Sequence, residues 1–224
     1  MKAYAALVLI LVFGGTALAQ EESIRPGFNE FWEKPDMEKA VDLLEREHPT
    51  IFKYRHAIVA ALGFEPGAAV ADVGAGTGFI ARLLAREVAP GGVVYAQDIS
   101  QEALDHIIKE AAKQGITNIE PVLGVHRSTK LAADSVDAIV TIRVYHHFEY
   151  PVKMLASIKA ALRPGGRFVV IDHERIKGVS SDWHYEHWRA GKGAFTDEIL
   201  DAGFVLEKEL PLLPDHYFLV FRER

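Results

Sequence analysis

The 224-residue sequence contains no cysteine, which excludes disulfides, thiolate metal ligands, a cysteine nucleophile and a lipid carried on an N-terminal cysteine. It also lacks any basic run, and its formal net charge is −6. Phosphate binding depends on clustered Lys and Arg, so no nucleic-acid partner is expected. There is no internal repeat and no low-complexity segment. The apolar run Ala5 to Phe13 is short for a bilayer-spanning helix. What remains is the composition of a globular protein, 49% hydrophobic and 25% charged, long enough for one domain with a substantial core.

The apolar run has a different reading in context. Lys2 supplies a positive n-region, Ala5 to Phe13 an h-region, and Ala17-Leu18-Ala19 a small-residue cleavage site before Gln20. That order predicts a signal peptide over residues 1–19 and an exported, periplasmic protein with no stable membrane insertion after cleavage. The alternative is an uncleaved N-terminal anchor in the cytoplasmic membrane.

Residues 20–65 read as an N-terminal helical segment. Asp36 is placed to cap a helix carrying Met37, Ala40, Val41 and Leu44, and a second helix covers Phe52 to Leu62 before Gly63. From Pro66 the pattern alternates. Strands are expected at Val70–Val73, Val93–Gln97, Ile119–Gly124, Val136–Ile142 and Arg167–Ile171. Helices are expected at Gly78–Val88, after the Ser100 cap, and at Pro151–Leu162, with Pro164-Gly165-Gly166 as a turn before the fifth strand. The chain ends differently, with a helix near Thr196–Ala202 and two runs, Phe204–Leu210 and His216–Phe221, that form an antiparallel hairpin. The expected fold is α/β: a Rossmann-like, seven-stranded, mostly parallel sheet with helices on both faces and a C-terminal antiparallel hairpin.

In such a sheet, ligands bind beyond the carboxyl ends of the strands. The stretch "VADVGAGTGFIARLLAREV" puts a bare backbone turn there, with Asp72 just before it and Gly74, Gly76 and Gly78 inside it. Glycines allow a tight turn and close approach of a ligand, and the following helix start offers free N–H groups. A dinucleotide fingerprint is G-x-G-x-x-G. Here the third glycine comes one residue early, which argues against a nicotinamide-dependent oxidoreductase.

This variant, "VADVGAGTG", resembles the first motif of class I S-adenosylmethionine (SAM) dependent methyltransferases. "VVYAQDIS" resembles their second motif, "VDAIVTIRVYHHFEYP" the fourth strand and His-His segment of the small-molecule, type-11-like branch, and "LRPGGRFVVIDH" the turn and fifth strand. The resemblance runs from about Pro66 to Asp172 and more weakly through the hairpin, so residues 66–224 are expected to be a SAM-binding methyltransferase domain. It implies SAM as cofactor, with Gly74, Ala75, Gly76 and Gly78 against its methionine part and Asp72 holding its amino group. It also implies Asp98, followed by Ile99, at the ribose hydroxyls. The family often has an acid after the third strand. Val125 and His126 stand there instead, and neither is assigned to SAM.

Methyl transfer needs an acceptor positioned behind the methyl, and a base only if that acceptor must lose a proton. Residues after the fourth strand are expected to face it. Arg143 suits an acidic small-molecule acceptor, and Tyr145 or His146 would orient the acceptor or take its proton. The alternative for the His-His pair, above all His147, is packing against the sheet. Ten histidines are present, and His184 and His187 in "DWHYEHWRAGK" lie three apart, near Asp172 and His173. No third ligand stands at a recognisable zinc spacing, so no metal site is expected. Residues 178–192, with Trp183, Tyr185 and Trp188, read as either a lid over the acceptor or a seal on the core. Phe31, Trp32, Phe52, Tyr54 and Arg55 are further candidates for either pocket or packing. The chain is read as an exported SAM-dependent methyltransferase, with a non-catalytic SAM- or nucleoside-binding protein as the alternative.

Overall fold

The computed structural model describes residues 20–46 and 49–224. The expected signal peptide, residues 1–19, lies outside the described residues. Strands β1 (Ala69–Val73), β2 (Val93–Asp98), β3 (Ile119–Leu123), β4 (Val136–Ile142) and β5 (Leu162–His173) are mutually parallel where they pair. Strands β6 (Phe204–Glu209) and β7 (His216–Glu223) form the antiparallel hairpin, and β7 inserts between β5 and β6. The sheet order is β3-β2-β1-β4-β5-β7-β6. Because β2 lies on one side of β1 and β4 on the other, the strand order reverses at β1 and opens a crevice beyond its carboxyl end.

Strand β1 is buried along its whole length because helices cover both faces of the sheet. Its side chains alternate between two cores. Val70 joins Val94, Val140 and Ile171 beneath α3 (Pro49–Leu62), α4 (Phe79–Glu87) and α5 (Gln101–Lys113), whose Ile58, Leu84 and Ile107 are fully buried. Ala71 and Val73 join Ile139 and Phe168 beneath α6 (Pro151–Ala161) and α8 (Lys192–Asp201), which contribute Leu155, Ile158 and Phe195. Burial of such side chains stabilises the fold by roughly 1.5–3 kcal/mol each. The caps form as expected. Asp36 accepts from Glu38 N and Lys39 N, and Ser100 accepts from Ala103 N.

Several elements differ from the sequence-based expectation. Strand β5 starts at Leu162 rather than Arg167, because Pro164-Gly165-Gly166 lies within it as an irregularity: β4 pairs Val136 with Leu162 and then Ala138 with Arg167. After α2 (Met37–Val41) the chain widens into a π-helical stretch, Asp42–Arg46. Two short helices were absent from the expectation, α1 (Glu30–Glu33) and α7 (Asp182–His187). Both are too short for helical periodicity to register. Among the described residues no helix is long and apolar enough to cross a membrane.

Candidate active site

A cavity of about 370 Å³ opens at the carboxyl ends of β1, β2 and β4. Its floor is the glycine turn after β1. Gly74 and Ala75 N–H both donate to Gln97 O, at 2.8 and 2.9 Å, which ties the turn to the end of β2. The three glycines then do different work. A Cβ on Gly74 would stand 2.5 Å from Val144 Cγ2, and one on Gly78 would stand 2.6 Å from Ile107 Cγ1. Those two permit packing of the turn on its neighbours. Gly76 lines the cavity itself with φ +56°, and a Cβ there would meet only Leu44, at 3.0 Å. Gly78, the cap of α4, does not line the cavity.

Two buried acids face this floor. Asp98 accepts from Gly76 N at 2.8 Å through one oxygen and from Ser100 N at 3.0 Å through the other. Burial raises its pKa in spite of these donors. Asp72 is 3% exposed. Burial, reinforced by repulsion from Asp98, pushes its pKa up to about 7, against a single opposing backbone donor at Ala81. Ile99 and Ala75 complete this end of the cavity.

The opposite wall follows β4. Arg143 leaves the sheet with φ +58°, while its N–H donates to Ile171 O at 2.7 Å. Arg143 is one of the residues lining the cavity, and its Nε and Nη1 are buried without a hydrogen-bond partner, with the carboxylates of Asp172 and Asp215 as the opposite charges acting on it. A guanidinium with free donors is able to take an anion. The expectation that Tyr145 and His146 face the acceptor is corrected by the next turn, a 3₁₀ helix over Tyr145–His147. Its tight winding sends Tyr145 into the α8 core, where its hydroxyl donates to Glu198 Oε2 at 3.0 Å. Arg189 pairs with the same carboxylate through both Nη atoms. His146 packs beneath the cavity wall, with Nδ1 2.8 Å from Asp172 Oδ2. His147, read from sequence as the packing member of the pair, is the one that lines the cavity.

The roof comes from the N-terminal segment and α7. Phe28, Phe31 and Trp32 line the cavity with Trp183 and His187. Phe52, Tyr54 and Arg55 do not line it, and Trp188 and Tyr185 lie outside it. His184 and His187 diverge. His184 stacks on His173 at 4.6 Å, whereas His187 stacks on Trp183 at 4.5 Å beside the cavity. His126, left unassigned from the sequence, lines the cavity from the loop after β3. Asn29, 4% exposed, ties the roof to the wall by donating to His147 O at 2.9 Å and to Glu149 Oε1 at 3.2 Å. Nothing in the sequence around Asn29 marks a buried amide.

Residues 64–201, more than half of the chain, match a family described as a methyltransferase domain. The chain belongs to this family. One relative is an uncharacterised 37.1 kDa protein in transposon TN4556 from Streptomyces fradiae, 33% identical over 71% of this chain and 50% of that protein. Another is an arsenite methyltransferase of Halobacterium salinarum, 32% identical over 48% of this chain and 27% of that protein. The chain thus spans half or less of these curated relatives. Among solved structures, a SAM-dependent methyltransferase from Aquifex aeolicus superposes with a TM-score of 0.75 at 22% identity, covering 84% of this chain and 99% of that one. That likeness is one of fold.

The methyl donor of a SAM-dependent methyltransferase is S-adenosylmethionine, and the donor set of the cavity fits it. Asp72 is a buried acid on which no cationic group acts among the described residues, suited to an ammonium group. Asp98 has backbone donors on both oxygens and room on the cavity side for hydroxyls.

Proposed function

We propose that this methyltransferase transfers a methyl group to a small, flat, largely apolar acceptor that carries an anionic group. The observation that carries the proposal is the polarity of one continuous cavity. The glycine turn and two carboxylates lie on one side, and Arg143, whose Nε and Nη1 have no hydrogen-bond partner, lines the other among aromatic walls. In this reading Asp72 would hold the SAM amino group, Gly74 to Gly76 its methionine part, and Asp98 the ribose hydroxyls. When bound, SAM supplies a methyl group on a sulfonium leaving group. The protein's task is to place the acceptor in line with it and exclude water. Arg143 anchors the acceptor's charge, while Phe28, Trp32 and Trp183 sandwich its plane and close the roof. Support also comes from relatives named as demethylmenaquinone and ubiquinone biosynthesis methyltransferases, 25–31% identical over about half of this chain. A phenolic ring is the acceptor this reading favours.

The test is calorimetric titration of residues 20–224 with SAM, its demethylated product and NADH, followed by turnover with phenolic and carboxylic acceptors and their neutral isosteres. Micromolar binding of SAM and product, no binding of NADH, and preference for the anionic acceptors are expected. Tight SAM binding without transfer to any acceptor would instead favour the non-catalytic reading. Export is part of the proposal and rests on the pattern over residues 1–19. Fractionation of cells expressing the full chain should recover a shortened protein beginning at Gln20 outside the cytoplasm. A full-length cytoplasmic product would remove that part.

A further inference from the structure

We propose that His146, His147 and His187 form a binding site for a divalent first-row transition metal, zinc in the first instance, in the wall of the cavity. One ring nitrogen from each of the three lies within 4.8 Å of the others. In a tetrahedral zinc site, ligand nitrogens are about 3.3 Å apart. The rings must draw closer by rotation to reach that spacing.

The hydrogen bonds around the rings prepare the ligands. Asp172 is completely buried and accepts from Trp188 Nε1, His173 N and His146 N, and His146 Nδ1 lies 2.8 Å from its Oδ2. A carboxylate that accepts from three such donors also faces the ring as an acceptor, which places the His146 proton on Nδ1. Its Nε2 is left with a lone pair, buried in a residue 2% exposed and without any partner. His147 is fixed in the same way. Asn29 uses Nδ2 to donate to His147 O and Glu149, so its Oδ1 is the acceptor that faces His147 Nδ1 at 2.9 Å. His147 thus also holds its proton on Nδ1 and presents Nε2 as a lone pair. Two adjacent histidines, each oriented by an outer acceptor, form the arrangement that fixes tautomer and direction in metal centres. His187 comes from α7, and its ring has no hydrogen-bond partner among the described residues.

The charges facing the cluster are mixed. Asp172 lies against His146, while Arg143, Arg189 and Arg25 add positive charge nearby. The arginines weaken a cation here, and the Asp172 carboxylate offsets them. His147 and His187 both line the cavity, so a bound metal would be reached from it. The sequence-level pair, His184 and His187, is not the site, because His184 is turned toward Ser181 and His173.

The probe is Co²⁺, titrated into chelator-treated protein spanning residues 20–224, with Zn²⁺ as competitor. One equivalent should bind with the visible absorption of a nitrogen-ligated, low-coordinate cobalt site and be displaced by zinc. His187→Ala should weaken binding roughly a hundredfold or more, beyond the usual loss on removing an outer-shell partner. His184→Ala, on the same helix, should leave it unchanged. No stoichiometric cobalt band, or a band that survives in His187→Ala, overturns the proposal. If the alanine chain fails to fold, the paramagnetically shifted exchangeable imidazole protons of the cobalt protein count the ligands directly. Three are expected, and any other number overturns the assignment. SAM affinity of the metal-free protein, measured alongside, reports on the cofactor end of the cavity alone, so the metal site and the methyltransferase reading stand or fall separately.

Discussion

Asp98 and Gly76 are joined across two strands' ends: the Asp98 carboxylate accepts the Gly76 N–H at 2.8 Å, while its other oxygen takes Ser100 N. The acid at the end of β2 thereby holds open the turn at the end of β1. One side chain sets the shape of the glycine floor and presents charge to the cavity above it. The backbone donors fix the carboxylate plane before any ligand arrives, which removes part of the ordering cost of binding.

Asp98→Ala should therefore do two kinds of damage. The charge-assisted contacts to ligand hydroxyls go, and the Gly76 N–H loses its acceptor. SAM affinity is expected to fall by more than about tenfold, while Asp98→Asn, which keeps one acceptor oxygen, falls less. Calorimetric titration of both variants checks this. Equal SAM affinity in wild type and Asp98→Ala would remove Asp98 from the cofactor site.

Asp72 gives a pH signature. Its pKa is raised from the ordinary carboxylate range to about 7 by burial and by Asp98. The free folded protein therefore holds a proton that the unfolded chain releases near pH 4. Its contribution to stability is fully present below that pH and is lost as pH rises through 7. Binding of an ammonium group has the opposite sign, because it requires the ionised form. Below pH 7, SAM affinity should fall about tenfold for each pH unit. Asp72→Asn should flatten both the unfolding and the binding profiles. A SAM affinity independent of pH between 5.5 and 8 would rule out the ammonium contact.

The order of sheet and helices was legible because apolar periodicity and Gly-Pro punctuation are local signals. The floor of the site was legible too, since Asp72, Gly76 and Asp98 belong to one short turn and one strand end. The acceptor wall was not. Tyr145, His146 and His147 are consecutive, and which of them reaches the cavity depends on the winding of a single 3₁₀ turn after the left-handed Arg143. Asn29 acts on His147 from 118 residues away, a contact no local pattern encodes. The fifth strand was cut short for a related reason. Pro-Gly-Gly reads as a turn, and only pairing with β4 carries it into the sheet as a bulge.

Arg143 should show a trade between stability and binding. Its guanidinium is pushed toward a lower pKa by burial and leaves two nitrogens unpaired. An apolar side chain of similar length removes that desolvation cost, so Arg143→Met should stabilise the free protein by about 1–3 kcal/mol. The same change removes the anion anchor and should raise KM for an acidic acceptor by more than roughly tenfold, leaving SAM affinity in place. Denaturant unfolding and acceptor kinetics measure the two effects separately. A destabilised variant with unaltered KM would show that Arg143 is structural.

Tyr145 tests the separation of chemistry from packing in the same turn. The residue is fully buried, and its hydroxyl donates to Glu198, itself clamped by Arg189. Burial, with the Glu198 charge beside it, holds the phenol pKa well above its ordinary value, so the ring does not ionise near neutral pH. A group in that state cannot accept a proton from the acceptor at neutral pH, and the side chain does not line the cavity. Tyr145→Phe should cost about 1 kcal/mol of stability, the worth of one buried hydrogen bond, because Glu198 keeps Arg189 as a partner. Turnover at saturating acceptor and the SAM dissociation constant should both stay within about twofold of wild type, since only interactions made in the transition state alter kcat. A fall in kcat beyond about tenfold with an unchanged melting temperature would return Tyr145 to the reaction and require the 3₁₀ turn to rewind when the acceptor binds.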